Sequence, residues 1–174
     1  MGVKQIRTIL FVLPVVLLLA LTSGCRTIRP PADVKPIERA MLATAYCSCS
    51  SCCEWKRDWL LRPVAATGPN AGKPKVVGRT ASGVPARNGT IAADGALYPF
   101  GTVMYIPGYG YGRVEDRGRS IKGNHIDLYF VFHRSAIQWG VRKNTKVKIW
   151  FPPGSLPPAF VSEKESPAKT APSR

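Results

Sequence analysis

The chain has 174 residues, 45% of them hydrophobic and 20% charged, which suits one packed domain with tails and excludes both wholesale disorder and a two-domain enzyme. Its 25 Lys and Arg stand against 10 Asp and Glu, a net charge of +15. Such a surface seeks polyanions, among them nucleic acid, anionic lipid head groups and acidic cell-wall polymers.

Lys4 and Arg7 precede an apolar run from Ile9 to Leu21, the basic and hydrophobic regions of a secretory signal, too short to span a bilayer comfortably. Residues 1–24 are therefore expected to be a signal peptide. Its end, Leu21-Thr22-Ser23-Gly24-Cys25, resembles the lipobox of bacterial lipoproteins, in which the cysteine is lipidated. Thr22 stands where that pattern has Leu, which leaves cleavage without a lipid open. On the lipobox reading Cys25 anchors the chain to a membrane on the periplasmic side of the envelope. Arg26 and Arg29, with no Asp beside Cys25, look more like an outer-membrane than an inner-membrane signal. Without Lys4 and Arg7 the 25 basic residues become 23 against 10 acidic, so the mature chain keeps +13. In that compartment nucleic acid is not an expected partner.

Residues 25–39 read as a tether and 152–174 as a disordered tail, both rich in Pro and charge without an apolar period. Between them, residues 40–151 form one domain. Short β-type segments run over 41–46, 90–93, 102–106, 112–115, 126–132 and 145–151, several with two-residue alternation. Turn signals such as Asp94-Gly95 and Asp116-Arg117-Gly118 separate them. Only His133 to Trp139 has helical character, stopping at Gly140. A mainly β fold follows, a small β-barrel with one or two short helices.

Cys47, Cys49, Cys52 and Cys53 crowd into a C-x-C-x2-C-C cluster. An even count in an exported domain predicts two disulfides, and since a Cys52–Cys53 bond would be strained, Cys47 and Cys49 would each take one of that pair. Four thiolates would also suit tetrahedral zinc, although zinc ligand pairs are usually separated by a long loop; free or redox thiols are the third reading. Disulfides, with no metal, are the expectation.

Acidic residues are scarce: between residues 59 and 162 there are only Asp94, Glu115, Asp116 and Asp127. Asp94 and Asp116 sit in turn motifs, where an Asp side chain bonds nearby backbone N–H groups. Asp127 interrupts the apolar run from Ile126 to Val131, where a charge is costly unless compensated. Alternation puts it opposite Ile126 and Leu128, as a hydrogen-bonded structural group or as a proton donor of raised pKa. Lys122 is the basic residue singled out for substrate contact, and His125 is a second proton-transfer candidate or a hydrogen-bonding loop residue. The stretch from Lys56 to Val77 reads as a loop or a lid.

Ala43-Thr44-Ala45-Tyr46, Thr80-Ala81-Ser82-Gly83, Ala92-Ala93-Asp94, Val114-Glu115-Asp116-Arg117-Gly118 and Ile121-Lys122-Gly123-Asn124-His125-Ile126-Asp127 follow in that order. Together they resemble the three-aspartate (3D) domain, a module shared by membrane-bound lytic transglycosylase A and small stand-alone cell-wall proteins. The resemblance covers roughly residues 40–151. It implies a double-psi β-barrel that cleaves peptidoglycan glycan strands, with Asp94, Asp116 and Asp127 as the three aspartates and Asp127 as the acid/base. Lys122, Gly123, Thr80 and Ser82 would contact substrate, and no cofactor is implied. The transglycosylase barrel forms its groove against a large second domain, so other cell-wall proteins are expected as partners. A barrel that binds the wall without cutting it is the alternative expectation.

Overall fold

The computed structural model describes residues 27–155, 157 and 160. The expected signal peptide and the lipidation site Cys25 lie outside them. Among the described residues no helix is long and apolar enough to cross a membrane.

In chain order the elements are β1 (Ile37–Tyr46), α1 (Ser50–Cys53), β2 (Trp55–Arg57), β3 (Pro63–Ala65), β4 (Thr90–Ala93), β5 (Val103–Ile106), β6 (Gly110–Asp116), β7 (His125–Tyr129), α2 (His133–Trp139) and β8 (Arg142–Trp150). Six strands close into a barrel in the order β1-β7-β4-β6-β5-β8. The β1–β7 and β4–β6 pairs are parallel and the other four antiparallel. The fold is thus the mainly β, small double-psi barrel with two short helices.

Alternation builds the interior. Met41 and Ala43 of β1, Ile91 and Ala93 of β4, Met104 and Ile106 of β5, Ile126 and Leu128 of β7, and Val147 and Ile149 of β8 all point inward and are almost fully buried. Burying each large aliphatic side chain contributes roughly 1.5–3 kcal/mol. Trp139 closes the α2 side, its indole N–H donating to Ala43 O at 3.3 Å. At Gly112 of β6 a Cβ would meet Ile91 Cδ1 at 2.6 Å and Gly89 O at 2.9 Å. Gly112→Ala is therefore expected to destabilise the fold by about 1–3 kcal/mol through overpacking, read as a lower denaturant midpoint with unchanged slope.

Three differences from the sequence expectation bear on the site. β1 begins at Ile37, so residues 37–39, expected in the tether, pair with β8 (Ile37 opposite Ile149). Phe160, expected in the tail, is buried against Tyr98 and Phe151, with the Arg39 guanidinium over its ring. The stretch expected as a loop or lid contains the β2–β3 hairpin.

Candidate functional site

The outward face of four adjacent strands carries one row of residues. Thr44 of β1 pairs with Asp127 of β7, and Asp127 with Ala92 of β4. A bulge between Ile91 and Ala92 makes Ile91 face Val114 but Ala92 face Asp116, with Glu115 as the extra residue. Bulges of this kind re-aim side chains. Here the bulge brings Asp116 into the row Thr44, Asp127, Ala92, Asp116, with the small Ala92 between the two carboxyls. Neighbouring strands lie about 4.8 Å apart, so the two carboxylates arise from backbones roughly 10 Å apart.

Asp127 is half-buried, and Thr44 Oγ1 donates to its Oδ1 at 2.7 Å. Thr44 Oγ1 also lies 2.9 Å from His125 Nε2; with the hydroxyl proton committed to Asp127, His125 Nε2 is the donor. Burial raises the Asp127 pKa; Thr44 and His125 offset it in part, and the charge of Asp116 adds to it. Asp116 is held by three donors: Tyr46 Oη to Oδ2 at 2.8 Å, and the Ala81 and Arg117 N–H groups to Oδ1, each at 2.9 Å. Burial, then the neighbouring Asp116, pushes the Tyr46 phenol far above its ordinary range, so it stays a proton donor.

These groups open into a groove of about 680 Å³. One wall comes from the segment between β1 and β4, with Cys52, Cys53, Lys75 and Arg79 among its residues, and the other from Arg117 to Ile121. Lys75 Nζ donates to Cys53 O, and the Arg119 guanidinium reaches across to Gly68, one nitrogen 2.8 Å from where a Cβ there would sit. The end of the stretch expected as a loop or a lid, Lys75 to Val77, is thus part of the groove and brings a cation to it.

The other predicted residues fall elsewhere. Asp94 is not among the lining residues; its Oδ2 accepts from Gly123 N–H at 2.9 Å and its Oδ1 from Ala96 N–H at 3.1 Å. These bonds, the Gly123 one foremost, hold its carboxyl below the usual range. Asp94 therefore fixes the loop that leads into β7, and Gly123, expected to offer its N–H to substrate, has given it to Asp94. Lys122 is exposed beyond the groove. Thr80 is buried and donates to Val84 O at 2.9 Å, while the Ser82 N–H bonds Glu115 O at 3.0 Å, so both shape a turn. Glu115 is buried between Arg87 Nη2 at 2.9 Å and Thr90 Oγ1 at 2.8 Å.

Asp94→Ala removes an ionised acceptor of two backbone N–H groups. The expected cost is about 1.5–3 kcal/mol at neutral pH. Because the folded pKa is depressed, this stabilisation is present above the ordinary carboxylate range of about 3.9 and is lost as pH falls through the folded value. Thermal melts of the two proteins should converge in acid.

Cys47, Cys49, Cys52 and Cys53 are all free thiols. The expected disulfides are absent from this arrangement: Cys47 Sγ and Cys52 Sγ stand 3.7 Å apart, far beyond a bond of about 2.05 Å. Instead of pairing, Cys47, Cys49 and Cys52 converge on His133, whereas Cys53 turns away to donate to Cys47 O at 3.1 Å.

A small closed barrel with two carboxyl groups in one row on its outer face defines the class of the site. Residues 89–151 match the family model of the 3D domain; this part of the chain is a 3D domain. YabE of Bacillus subtilis, named as a cell wall shaping protein, is 39% identical over 90 residues, which span 49% of this chain and 22% of YabE. YocH of the same organism, named as a cell wall-binding protein, is 36% identical over 90 residues, 49% of this chain and 31% of YocH. The chain thus spans less than a third of either relative's length. The E. coli lytic transglycosylase MltA is structurally similar at a TM-score of 0.35 and 22% identity, over 43% of this chain and 28% of that one.

Proposed function

We propose that this protein acts on peptidoglycan at the cell envelope as a lytic transglycosylase, with Asp127 as its single acid/base. The observation that carries the proposal is a half-buried carboxyl whose pKa is raised, aligned with a second, firmly held carboxylate in a groove walled by Lys75, Arg79, Arg117 and Arg119. Ordinary glycosidases need two carboxyl groups in flanking positions. A transglycosylase needs one, because the substrate supplies the nucleophile.

Protonated Asp127 would give its proton to the glycosidic oxygen of the leaving N-acetylglucosamine as the bond from C1 of N-acetylmuramic acid to that oxygen breaks. The 6-hydroxyl of the same muramic acid would bond to C1 and return its proton to Asp127. The product is a 1,6-anhydro ring, and no water is consumed. Thr44 orients the carboxyl, and Asp116 keeps its proton affinity high. The names of the two relatives, cell wall shaping and cell wall-binding, support the wall as the substrate.

The test is incubation of the purified chain with peptidoglycan sacculi, with released fragments read by mass spectrometry. Anhydro-ended fragments are the expected result. Fragments heavier by one water would mean hydrolysis. Sacculi left intact but carrying the protein into the pellet would establish the second reading, a binding module, which the likeness to the cell wall-binding protein YocH favours.

A further inference from the structure

Three sulfurs and one ring nitrogen meet at the end of β1, outside the row of carboxyls. The Sγ atoms of Cys47, Cys49 and Cys52 and Nδ1 of His133 all lie within 4.8 Å of one another. His133 Nδ1 is 3.5 Å from Cys47 Sγ, 3.4 Å from Cys49 Sγ and 3.5 Å from Cys52 Sγ, and Cys47 Sγ is 3.7 Å from Cys52 Sγ. A tetrahedral zinc ion with Zn–S of about 2.3 Å and Zn–N of about 2.05 Å requires S–S edges of about 3.8 Å and S–N edges of about 3.6 Å. The four measured edges fall close to those values.

From this geometry we infer a structural zinc site with the ligand set Cys47, Cys49, Cys52 and His133. The donor set selects a borderline-soft divalent ion of tetrahedral preference over magnesium or calcium, which take oxygen ligands. Thiolate charge is also met by the backbone: the Cys49 N–H approaches Cys47 Sγ at 3.5 Å. The objection that four cysteines are too crowded for zinc is removed by the exchange of one ligand. Cys53 is not in the set, and the fourth donor arrives from the first residue of α2, 84 positions from Cys49. Zinc would thereby tie the end of β1 to α2, one residue beyond the Tyr46 that holds Asp116. As the ion binds, the three thiols lose their protons to solvent.

The experiment is metal analysis of the purified full chain produced in zinc-supplemented medium, followed by exchange of zinc for cobalt. One zinc per chain is expected, and the cobalt form should show the intense visible ligand-field bands and near-ultraviolet thiolate charge transfer of a tetrahedral site. Cys49→Ser and His133→Ala should lose the ion, Cys53→Ser should keep it, and His133→Cys should regain it as a four-thiolate site. Chelation of the wild type should lower Tm. Two disulfides without metal in non-reducing peptide maps, or zinc retained at full stoichiometry by His133→Ala, would overturn the inference. Because the wild-type cobalt spectrum reads the donor set directly, the outcome does not depend on every variant folding.

Discussion

Asp127→Asn is expected to lower the rate of glycan cleavage by about 10²–10⁴-fold while making the folded protein more stable at neutral pH. Asparagine still accepts from the Thr44 hydroxyl through its side-chain oxygen, the bond that Asp127 Oδ1 receives at 2.7 Å, so the row keeps its geometry. What it cannot do is give up a proton to a leaving sugar. Sacculus digestion with quantified anhydro ends measures the first effect.

The stability effect follows from the sign of the pKa shift. Burial raises the Asp127 pKa, so the folded state holds this proton more tightly than the unfolded state, whose carboxyl titrates near the ordinary value of about 3.9. The favourable contribution is complete below that value and is lost as pH rises through the folded pKa. Asn does not titrate, so the variant escapes that loss. Its advantage over the wild type should be absent in acid, grow through this window and level off above it. Denaturant melts across pH check this, and a variant less stable than wild type at neutral pH would refute the burial argument. Greater stability with lost activity is the expected mark of a catalytic group that strains its surroundings.

The barrel strands were legible because their interior faces obey a strict period of two. The segments expected at 90–93 and 126–132 are β4 and most of β7, and the expected helix is α2 over His133–Trp139. Asp127 was legible because a charge in an apolar run is anomalous. Its partner Thr44 was not, since the parallel β1–β7 pairing joins positions 83 apart, and no local pattern encodes such a register. Tyr46 shares the Ala43–Tyr46 motif with Thr44, but its bond to Asp116, 70 positions away, is equally non-local. The bulge at Glu115 was hidden for another reason: a one-residue slip leaves apolar alternation intact and changes only which of two acidic residues faces out. Lys122, Gly123, Thr80 and Ser82 lie near the aspartates in sequence, yet proximity says nothing of which hydrogen bonds are already made. The β2–β3 hairpin has strands of three residues, with Val64 alone buried among them, too short to display a period. Phe160 is an apolar anchor in a Pro-rich stretch and likewise has no periodicity to betray it. The approach of His133 to the cysteine sulfurs had no local signal either, since Cys47 and Cys52 lie 86 and 81 positions away.

Asp116 separates charge from architecture, and its two substitutions should therefore diverge. In Asp116→Asn the side-chain oxygen can still accept from the Ala81 and Arg117 N–H groups, and the amide can donate to the Tyr46 hydroxyl that formerly donated to Oδ2. Folding should be nearly unchanged. The negative charge that raises the Asp127 pKa is gone, however, so Asp127 loses its proton at lower pH. An acid that must be protonated to work then gives a cleavage rate whose alkaline limb moves toward acid, with the maximum at low pH preserved. Asp116→Ala removes the acceptor of all three donors at once. The exposed Ala81 and Arg117 N–H groups turn to water, but the part-buried Tyr46 hydroxyl is left without its acceptor, at about 1–3 kcal/mol, so the groove rim should loosen, lowering Tm and activity at every pH. A pH–rate profile for the Asn variant that superimposes on wild type would show that the two carboxyl groups do not sense each other, and Asp116 would then be a purely structural anchor for Tyr46 and the turn at Ala81.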